Sequence, residues 1–482
     1  MSLASALLLV VGAASPAAPV SPAPEASDTA LERAILKQLV EINTSDSAGH
    51  SGEAARAMAA RLIEAGLPSA DVRVTGYDPR YQSLVARYRG RPGGARPILL
   101  MAHLDVVDAR REDWSTDPYR LVEQGGFYYG RGTSDNKAGA AMLVANFIRY
   151  RREGFVPDRD LIVVLTADEE TTSQSIRWLL AEHRELVDAD FALNTDGGGV
   201  DYRDGKPLRF NLQAAEKVYQ SFQLEIRNPG GHSSRPVSDN AIYRLAEGLS
   251  RLGRFRFPVQ LNEVTRAFFE RGAAAEVPAL AADMRLLART GDSAAASRLS
   301  AASPYYNAVL RTTCVATRLY AGHADNALPQ LARATVNCRI LPGEPIETVE
   351  RRLRDVVADT ALHLSRIGEA TPSPPSPLRA DVTGPIEALA GKYWPGIPVV
   401  PEMSTGATDG LYTRNAGIPT YGVSAIMEDI DDARAHGRDE RVGVREFHQA
   451  AQYWYELVKR LSTAPVRSSE SGVRSGRDEP AG

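Results

Sequence analysis

The chain has 482 residues, of which 43% are hydrophobic, and it carries a formal net charge of −4 at pH 7. This length is enough for a full hydrophobic core and for two or three domains. The small negative charge and the absence of a long basic run argue against binding to nucleic acid or to an anionic membrane surface.

The N-terminal region carries a short apolar segment from Leu3 to Ala14, which is too short to span a bilayer. Small residues and a proline-rich spacer follow up to Pro24, as in a secretory signal and its cleavage region. No lysine or arginine precedes the apolar part, which departs from that pattern. We expect residues 1–27 to be a signal peptide and linker, and the protein to be exported to the periplasm or secreted. If the segment is not a functional signal, the protein is expected to be cytoplasmic.

Residues 28–215 are predicted to form the first part of an α/β unit. Leu31, Ile35 and Leu39 recur at helical spacing, and a second helix is expected over 52–65. Apolar strands are predicted at 72–75, 84–88, 98–104 and 161–166, with a helix over 138–152. Helices that alternate with apolar strands predict a mixed, mostly parallel sheet with helices on both faces.

The pattern changes over residues 216–368, which are predicted to form an inserted α+β lid or dimerisation domain. Residues 219–227 alternate as a half-exposed antiparallel strand does, and a helix is expected over 242–252. An alanine-rich, mostly helical segment spans 255–303 and is assigned to this domain. Strands at 312–320 and 332–341 and a helix over 346–357 complete it. A proline- and serine-rich linker (365–378) leads back to the α/β unit, which resumes over 369–463, and 464–482 are expected to be a disordered tail.

Metal-binding side chains follow several of the apolar runs. LIVVLTADEE (161–170) ends in Glu169 and Glu170, and ILLMAHL (98–104) breaks at His103. Other candidates are Asp105, Asp135 in the loop GRGTSDNK, Asp196 before three glycines, and His436 in the loop beyond 419–426. Because ligands gather at the carboxyl ends of strands in open α/β sheets, we expect these side chains to share one site.

Two histidines and three carboxylates form the candidate two-metal set: His103, Asp135, Glu170, Asp196 and His436. Nitrogen and oxygen ligands without thiolate suit two Zn²⁺ ions, and Co²⁺ or Mn²⁺ also accept them. Glu169 is placed to take a proton from the attacking water, and Asp105 to brace the imidazole of His103. On chemistry alone His232, His323 and His448 compete with His436, and the other residues could also be ordinary turn and capping residues.

The motifs HLD, GRGTSDNK, DEE, GGHSS, NALP and AHGRDE together resemble the co-catalytic dizinc exopeptidases related to aminoacylase and carboxypeptidase G. The segment RTTCVATRLYAG and the strand after it look most like the carboxypeptidase S and N-acyl-amino-acid hydrolase branch. The resemblance implies that His103 and Asp196 hold one zinc, that Glu170 and His436 hold the other, and that Asp135 bridges them. It also implies that Glu169 is the general base and that the peptide bond between Asp135 and Asn136 is cis.

For the lid, the resemblance implies that His232 stabilises the oxyanion and that Asn326 and Arg339 bind the substrate's carboxylate. It also implies a homodimer through this domain. A salt bridge between Arg339 and a lid carboxylate such as Glu344 is the structural alternative. The expected activity is hydrolysis of an amide next to a free carboxylate, in a small peptide or an N-acyl amino acid. A dipeptidase or aminopeptidase of the same family and an inactive binding protein are the competing hypotheses.

The chain has two cysteines, Cys314 and Cys338, on strands that could be antiparallel neighbours around the turn at 321–331. Export would permit a disulfide bond between them. We nevertheless expect two buried free thiols.

Overall fold

The structure is a computed structural model that describes residues 26–463. The predicted signal peptide and linker, apart from its last two residues, and the predicted tail (464–482) lie outside the described residues. Within residues 26–463, none of the helices combines the length and the apolar character that crossing a bilayer requires.

The elements alternate in the first half of the chain as the apolar patterns predict. The α-helices are α1 (Ala26–Glu41), α2 (Ser51–Glu64), α3 (Lys137–Glu153), α4 (Gln174–Glu182), α5 (Arg184–Val187), α6 (Ala241–Arg254), α7 (Glu263–Gly272), α8 (Pro278–Thr290), α9 (Ser293–Ala302), α10 (Pro304–Leu310), α11 (Ile346–Val357), α12 (Ala380–Tyr393), α13 (Gly410–Asn415) and α14 (Val444–Ser462). The strands are β1 (Val72–Asp78), β2 (Tyr81–Tyr88), β3 (Ala95–His103), β4 (Val122–Gln124), β5 (Phe127–Tyr129), β6 (Arg159–Thr166), β7 (Phe191–Asn194), β8 (Gly199–Arg203), β9 (Lys206–Glu216), β10 (Val218–Arg227), β11 (Gly231–His232), β12 (Thr313–Ala321), β13 (Ala327–Leu328), β14 (Leu331–Ile340), β15 (Leu362–Ile367), β16 (Val399–Ser404), β17 (Thr420–Gly422), β18 (Met427–Asp429) and β19 (Arg441–Gly443).

A 10-stranded mixed sheet organises the larger unit, in the order β1-β2-β6-β3-β7-β17-β9-β8-β18, with β16 beside β9. Its centre is parallel, since β3 runs parallel to both β6 and β7, and β17 runs parallel to β7. The predicted fold class, a mixed α/β sheet with helices, is therefore confirmed.

The central strands are buried on both faces because their side chains alternate between two apolar layers. Leu161, Val163 and Leu165 of β6 join the core that includes α2, α3 and α14. Ile162 and Val164 point the other way and pack with α4 and α5. The continuous apolar run in the sequence thus reflects helices on both sides of the sheet.

A second unit is built on a 4-stranded antiparallel sheet in the order β12-β14-β10-β15, with helices α6 and α11 on one face. We call this unit the lid. Lys217 alone separates the last residue of β9 in the large sheet from the first residue of β10 in the lid. Its buried ammonium donates to the carbonyls of Ala308 and Arg311, both at 2.8 Å. Burial lowers the pKa of Lys217 to about 7.

The alanine-rich segment packs differently from the prediction, which assigned it to the lid. Val264, Phe268 and Phe269 of α7, like the buried residues of α8, α9 and α10, join the core of the larger unit, where α7 lies against β16. The predicted linker at 365–378 also begins too early, because residues 365–367 belong to β15, which pairs with β10. The prediction counted Ser365 with the proline- and serine-rich stretch after it, but Ser365 lies in a partly exposed strand at the edge of the lid sheet.

The expectation of two free thiols is wrong. Cys314 and Cys338 are directly opposite one another in β12 and β14 and form a disulfide bond, with Cα atoms 4.1 Å apart. The predicted antiparallel pairing of the two strands is confirmed. Directly opposed residues in an antiparallel pair are close enough for a bond, so register decided the outcome.

Candidate metal centre

Parallel strands bring the predicted ligands to one edge of the large sheet. His103 is the last residue of β3 and is paired with Thr166, the last residue of β6. Asp168, Glu169 and Glu170 follow β6 directly. Met101 of β3 pairs with Asn194, the last residue of β7, and Asp196 lies two residues beyond it. The carboxyl ends of three neighbouring strands therefore converge, as the sequence predicts.

Asp135 lies at the centre of the cluster, with one carboxylate oxygen directed to each histidine. Its Oδ1 is 2.9 Å from Nε2 of His103, and its Oδ2 is 3.0 Å from Nε2 of His436. The same nitrogen of His436 is 3.0 Å from Oε1 of Glu170, and Nε2 of His103 is 4.0 Å from Oδ2 of Asp196. Two ligand groups thus share Asp135, which is the arrangement expected of a bridging carboxylate.

The donor set fits two metal ions. His103, Asp135 and Asp196 form one group and Asp135, Glu170 and His436 another, each with ligand atoms within 4.8 Å of one another. Burial and the charge of Asp135 raise the pKa of Asp196 well above its usual value, and a cation bound beside it would favour the ionised carboxylate. Hydrogen bonds to Asp135 and Glu170 raise the pKa of His436 to about 10. Nitrogen and oxygen ligands without sulfur suit Zn²⁺, Co²⁺ or Mn²⁺.

Glu169 stands beside these groups on a turn that Asp105 holds in place. The amides of Glu169 and Glu170 donate to the two carboxylate oxygens of Asp105, at 3.1 and 2.9 Å. Asp105 also braces His103, but the shorter contact to Nδ1 comes from its backbone carbonyl, at 2.9 Å against 3.5 Å for its carboxylate. Burial, followed by the charge of Asp196, raises the pKa of Glu169.

Glu440, which the sequence did not single out, holds the loop that carries Asp135. Its Oε1 accepts from the amides of Gly132, Ser134 and Asp135 at 2.8–3.1 Å, and its Oε2 pairs with Arg131 at 2.6 Å. The side chains of Glu440 and Arg131 are both buried. Glu440 lies in the motif AHGRDE, but nothing local in that motif distinguishes its carboxylate from that of Asp439.

The cis peptide bond predicted between Asp135 and Asn136 is confirmed. The amide oxygen of Asn136 accepts from the hydroxyl of Thr195 at 2.7 Å, which links the loop to the residue before Asp196. Gly139 at the start of α3 permits this approach, since a Cβ there would lie 2.1 Å from the Thr195 hydroxyl.

Two further buried carboxylates near the site have structural partners. Asp168 accepts from the amides of Gln174 and Ser175 at the start of α4, at 3.0 and 2.9 Å. Asp409 accepts from the hydroxyl of Thr166 at 2.6 Å, and burial raises its pKa to about 7. Of the three acids in DEE, Asp168 therefore supports the turn, and the other two face the candidate metal site.

The predicted lid residues lie in two places. His232 and Ala327 pair in the short ladder between β11 and β13, with Asn326 immediately before it. Nδ1 of His232 accepts from the amide and hydroxyl of Ser234, at 3.1 and 2.8 Å, and His232 joins none of the candidate ligand groups. The backbone carbonyl of Asn326 accepts from the amide of Ser233 at 3.0 Å.

Arg339 lies on β14 at the junction of the lid with the larger unit. It donates to the carbonyl of Thr405 at 3.3 Å, and its guanidinium carbon is 4.8 Å from the ring centroid of Tyr219. The alternative salt bridge to Glu344 is not formed, and one oxygen of the Glu344 carboxylate accepts from Thr312. Among the described residues, no carboxylate is within ion-pair distance of Arg339, and burial lowers its pKa.

Comparison with known proteins gives a consistent result. The family model described as peptidase family M20/M25/M40 matches residues 99–460. The chain is 29% identical over 387 residues to the human N-fatty-acyl-amino acid synthase/hydrolase PM20D1, covering 78% of this chain and 76% of that protein. It is 26% identical over 390 residues to the probable carboxypeptidase S-like 2 of Dictyostelium discoideum, covering 78% and 74%. The crystal structure of the M20 family metallo-carboxypeptidase Sso-CP2 from Sulfolobus solfataricus superposes with a TM-score of 0.66 at 16% identity, covering 89% of this chain and 99% of that one.

Proposed function

Since this chain belongs to peptidase family M20/M25/M40 and is a hydrolase of amide bonds, we propose that it cleaves an amide next to a free carboxylate with the aid of two zinc ions. The resemblance to the carboxypeptidase S and N-acyl-amino-acid hydrolase branch is confirmed by the relatives. Their names include both substrate types, so the proposed substrate is an N-acyl amino acid or a small peptide.

In the proposed site His103 and Asp196 would hold one ion, Glu170 and His436 the other, and Asp135 both. Support comes from the two ligand groups that share Asp135. Metal ions held in this way polarise the amide carbonyl and make a water more acidic. Co²⁺ or Mn²⁺ could serve the same ligands.

The protein's own groups orient the substrate and move the proton. Glu169 also lies within ligand distance of His103 and Glu170, but it is absent from both groups that share Asp135. If those two groups hold the ions, the carboxylate of Glu169 remains to take a proton from water and deliver it to the leaving nitrogen. The backbone amides of Glu169 and Glu170 donate to the carboxylate of Asp105, and these hydrogen bonds fix the orientation of the turn. The two glutamates could exchange roles only if this turn rearranged.

The substrate assignment rests on one observation, the guanidinium of Arg339 that has no carboxylate partner among the described residues. A guanidinium has five N–H donors, and one neutral carbonyl at 3.3 Å occupies only part of this capacity. Because Thr405 belongs to the larger unit and Arg339 to the lid, the unpaired charge lies where the two units meet. A substrate carboxylate there would complete the hydrogen bonding in bidentate fashion.

The remaining assignments depend on movement or assembly. We propose that His232 and Asn326 reach the substrate when the lid closes over the cleft or when two copies pair through the lid. We also propose export, which is supported by the disulfide between Cys314 and Cys338, because such bonds persist in oxidising compartments.

The test is metal analysis followed by turnover of dipeptides, N-acetyl amino acids and long-chain N-acyl amino acids, each as free acid and as C-terminal amide. We expect the amide to lose about 10–150-fold in kcat/KM, the equivalent of one charge-assisted hydrogen bond of about 1.5–3 kcal/mol. Arg339→Ala should remove this preference while metal content is unchanged. Arg333→Ala is the matched control, since Arg333 lies on the same strand, β14, with the same alternation in burial.

Equal loss on acid and amide in Arg339→Ala would mean that the carboxylate is recognised elsewhere. Faster turnover of substrates with a free amine than of their N-acyl counterparts would favour the dipeptidase or aminopeptidase hypothesis. Full metal loading without turnover of any substrate in the panel would favour an inactive binding protein.

A further inference from the structure

We propose that Tyr219 is a positioning residue that holds the guanidinium of Arg339 ready for the substrate's carboxylate. This inference rests on the proposed function. It assigns the positioning of Arg339 to an aromatic ring and not to an acidic partner. The sequence did not single out this tyrosine.

The two side chains are directly opposite one another across the lid sheet. Tyr219 of β10 pairs with Arg339 of β14 in the antiparallel register, so both project from the same face. Helices α6 and α11 pack with residues of the opposite parity, such as Phe222, Val336 and Cys338. The pair therefore lies on the face of the sheet away from these helices. The guanidinium carbon is 4.8 Å from the ring centroid, which is within cation–π distance.

The tyrosine ring is itself restrained by a short chain of hydrogen bonds. The side-chain amide of Asn337 donates to the hydroxyl of Ser221 at 3.1 Å. That hydroxyl donates to Oη of Tyr219 at 3.2 Å. These residues lie on the same two strands, so the ring orientation is set within the sheet and does not depend on a flexible loop.

An aromatic partner suits an arginine that must bind an anion. A carboxylate partner would neutralise the guanidinium and occupy the donors that the substrate needs. A cation–π contact requires no hydrogen-bond acceptor, so it restrains the side chain and leaves its charge and most of its N–H groups available. The carboxylate of Glu344 accepts from Thr312 and forms no ion pair with Arg339.

The pair of Tyr219 and Arg339 also lies next to the junction between the lid and the larger unit. Tyr219 lies two residues after Lys217, whose amide donates to the carbonyl of Ser404 at 3.0 Å, and Arg339 donates to the next carbonyl, that of Thr405. The two units thus meet at Lys217 and Arg339, beside Tyr219. Because points near this junction would move little if the lid rotated about it, the carboxylate site would already be assembled before the proposed closure.

Tyr219 contributes little to the core, because its side chain is 51% exposed. Replacement at an exposed position usually changes stability only slightly. A change in substrate preference after replacement would therefore reflect the position of Arg339 and not loss of fold.

The experiment compares Tyr219→Leu and Tyr219→Phe in the metal-loaded enzyme with an acid and amide substrate pair. We expect Tyr219→Leu to lower kcat/KM for the acid by about 3–10-fold through KM, as loss of a partly desolvated cation–π contact predicts. Activity on the amide should be unchanged. Tyr219→Phe keeps the ring but loses the hydrogen bond from Ser221, so its kcat/KM for the acid should lie between those of wild type and Tyr219→Leu. The control is Tyr320→Leu, because Tyr320 is also exposed and carries an arginine, Arg333, at 5.7 Å from its ring.

A double mutant separates this inference from the proposed function. In an Arg339→Ala background, Tyr219→Leu should cause no further loss. If Arg339→Ala alters the acid-to-amide ratio but Tyr219→Leu does not, the positioning role is wrong and the proposed function stands. If Tyr219→Leu lowers both substrates equally, or adds fully to Arg339→Ala, the positioning role is also wrong. An unchanged ratio in Arg339→Ala itself would contradict both.

Discussion

The side chains of the neighbouring acids in this site contact different partners. Asp168 accepts from the first amides of α4, whereas Glu170 is 3.0 Å from the imidazole of His436. Glu169 lies between them, and its pKa is raised by burial and by the charge of Asp196. At the residue scale, these contacts support the proposed division of structural support, proton transfer and metal binding over the three consecutive positions of the turn that follows β6.

We expect Glu169→Gln to lower kcat by about 10²–10⁴-fold and to leave two metal ions bound, because the amide keeps the shape but cannot accept the proton. Glu170→Gln is the matched change at the next position and should instead reduce the bound metal. The measurements are metal content by atomic emission and kcat on the best substrate. Normal kcat in Glu169→Gln would show that the proton is taken by another group.

At the scale of elements, the loop between β5 and α3 depends on a buried ion pair from the distant end of the chain. Glu440 accepts from three amides of this loop and from the guanidinium of Arg131. Loop amides that point inward need such acceptors, since an unpaired buried donor is costly. The loop that presents Asp135 is therefore positioned by residues just beyond His436, which couples the two ends of the metal site.

We expect Glu440→Gln to lower the free energy of unfolding by about 3–5 kcal/mol, the usual cost of breaking a buried pair and leaving one charge behind. Metal affinity should fall with it, because the NH2 group of glutamine cannot accept from Arg131, so the loop that carries Asp135 must shift. The matched control is Glu123→Gln, which breaks an exposed pair with Arg33 and should change stability by less than about 1 kcal/mol. Urea unfolding of both variants measures the difference, and equal effects would mean that Glu440 is not essential to the loop.

At the scale of the whole molecule, charge repulsion is concentrated at the carboxyl edge of the large sheet. Asp135, Glu169, Glu170 and Asp196 are drawn together by three strands and one loop, with two imidazoles between them. The large core and the lid core are separate clusters. Cations at this edge therefore favour the folded protein as well as catalysis.

We expect removal of metal with a chelator to lower the melting temperature, because ions bind the folded site and not the dispersed ligands. Metal at 100 times its dissociation constant adds about 2.7 kcal/mol per site. His436→Ala keeps one ligand group and should show a smaller increase in melting temperature when metal is added. Calorimetry with and without metal measures both, and a melting temperature that does not respond to metal would contradict a resident ion.

Local pattern was sufficient for the elements and for the prediction that most of the candidate ligands lie together. The apolar run of β6 predicted burial on both faces, helix 346–357 was predicted from spacing alone, and ligands were expected at strand ends. These inferences succeed because the periodicity of side chains and the direction of parallel strands are properties of the chain itself. The family resemblance added the cis bond at Asp135, which no spacing implies.

Tertiary structure alone decided which groups became partners. Glu440 pairs with Arg131, which is 309 positions away in the chain. Strand register places Tyr219 opposite Arg339, and the alanine-rich helices pack on the core of the larger unit and not on that of the lid. The bond between Cys314 and Cys338 likewise depended on which residues of β12 and β14 are opposed. Sequence determines what a side chain can do, but partners distant in the chain are selected by packing and register, which the local pattern does not contain.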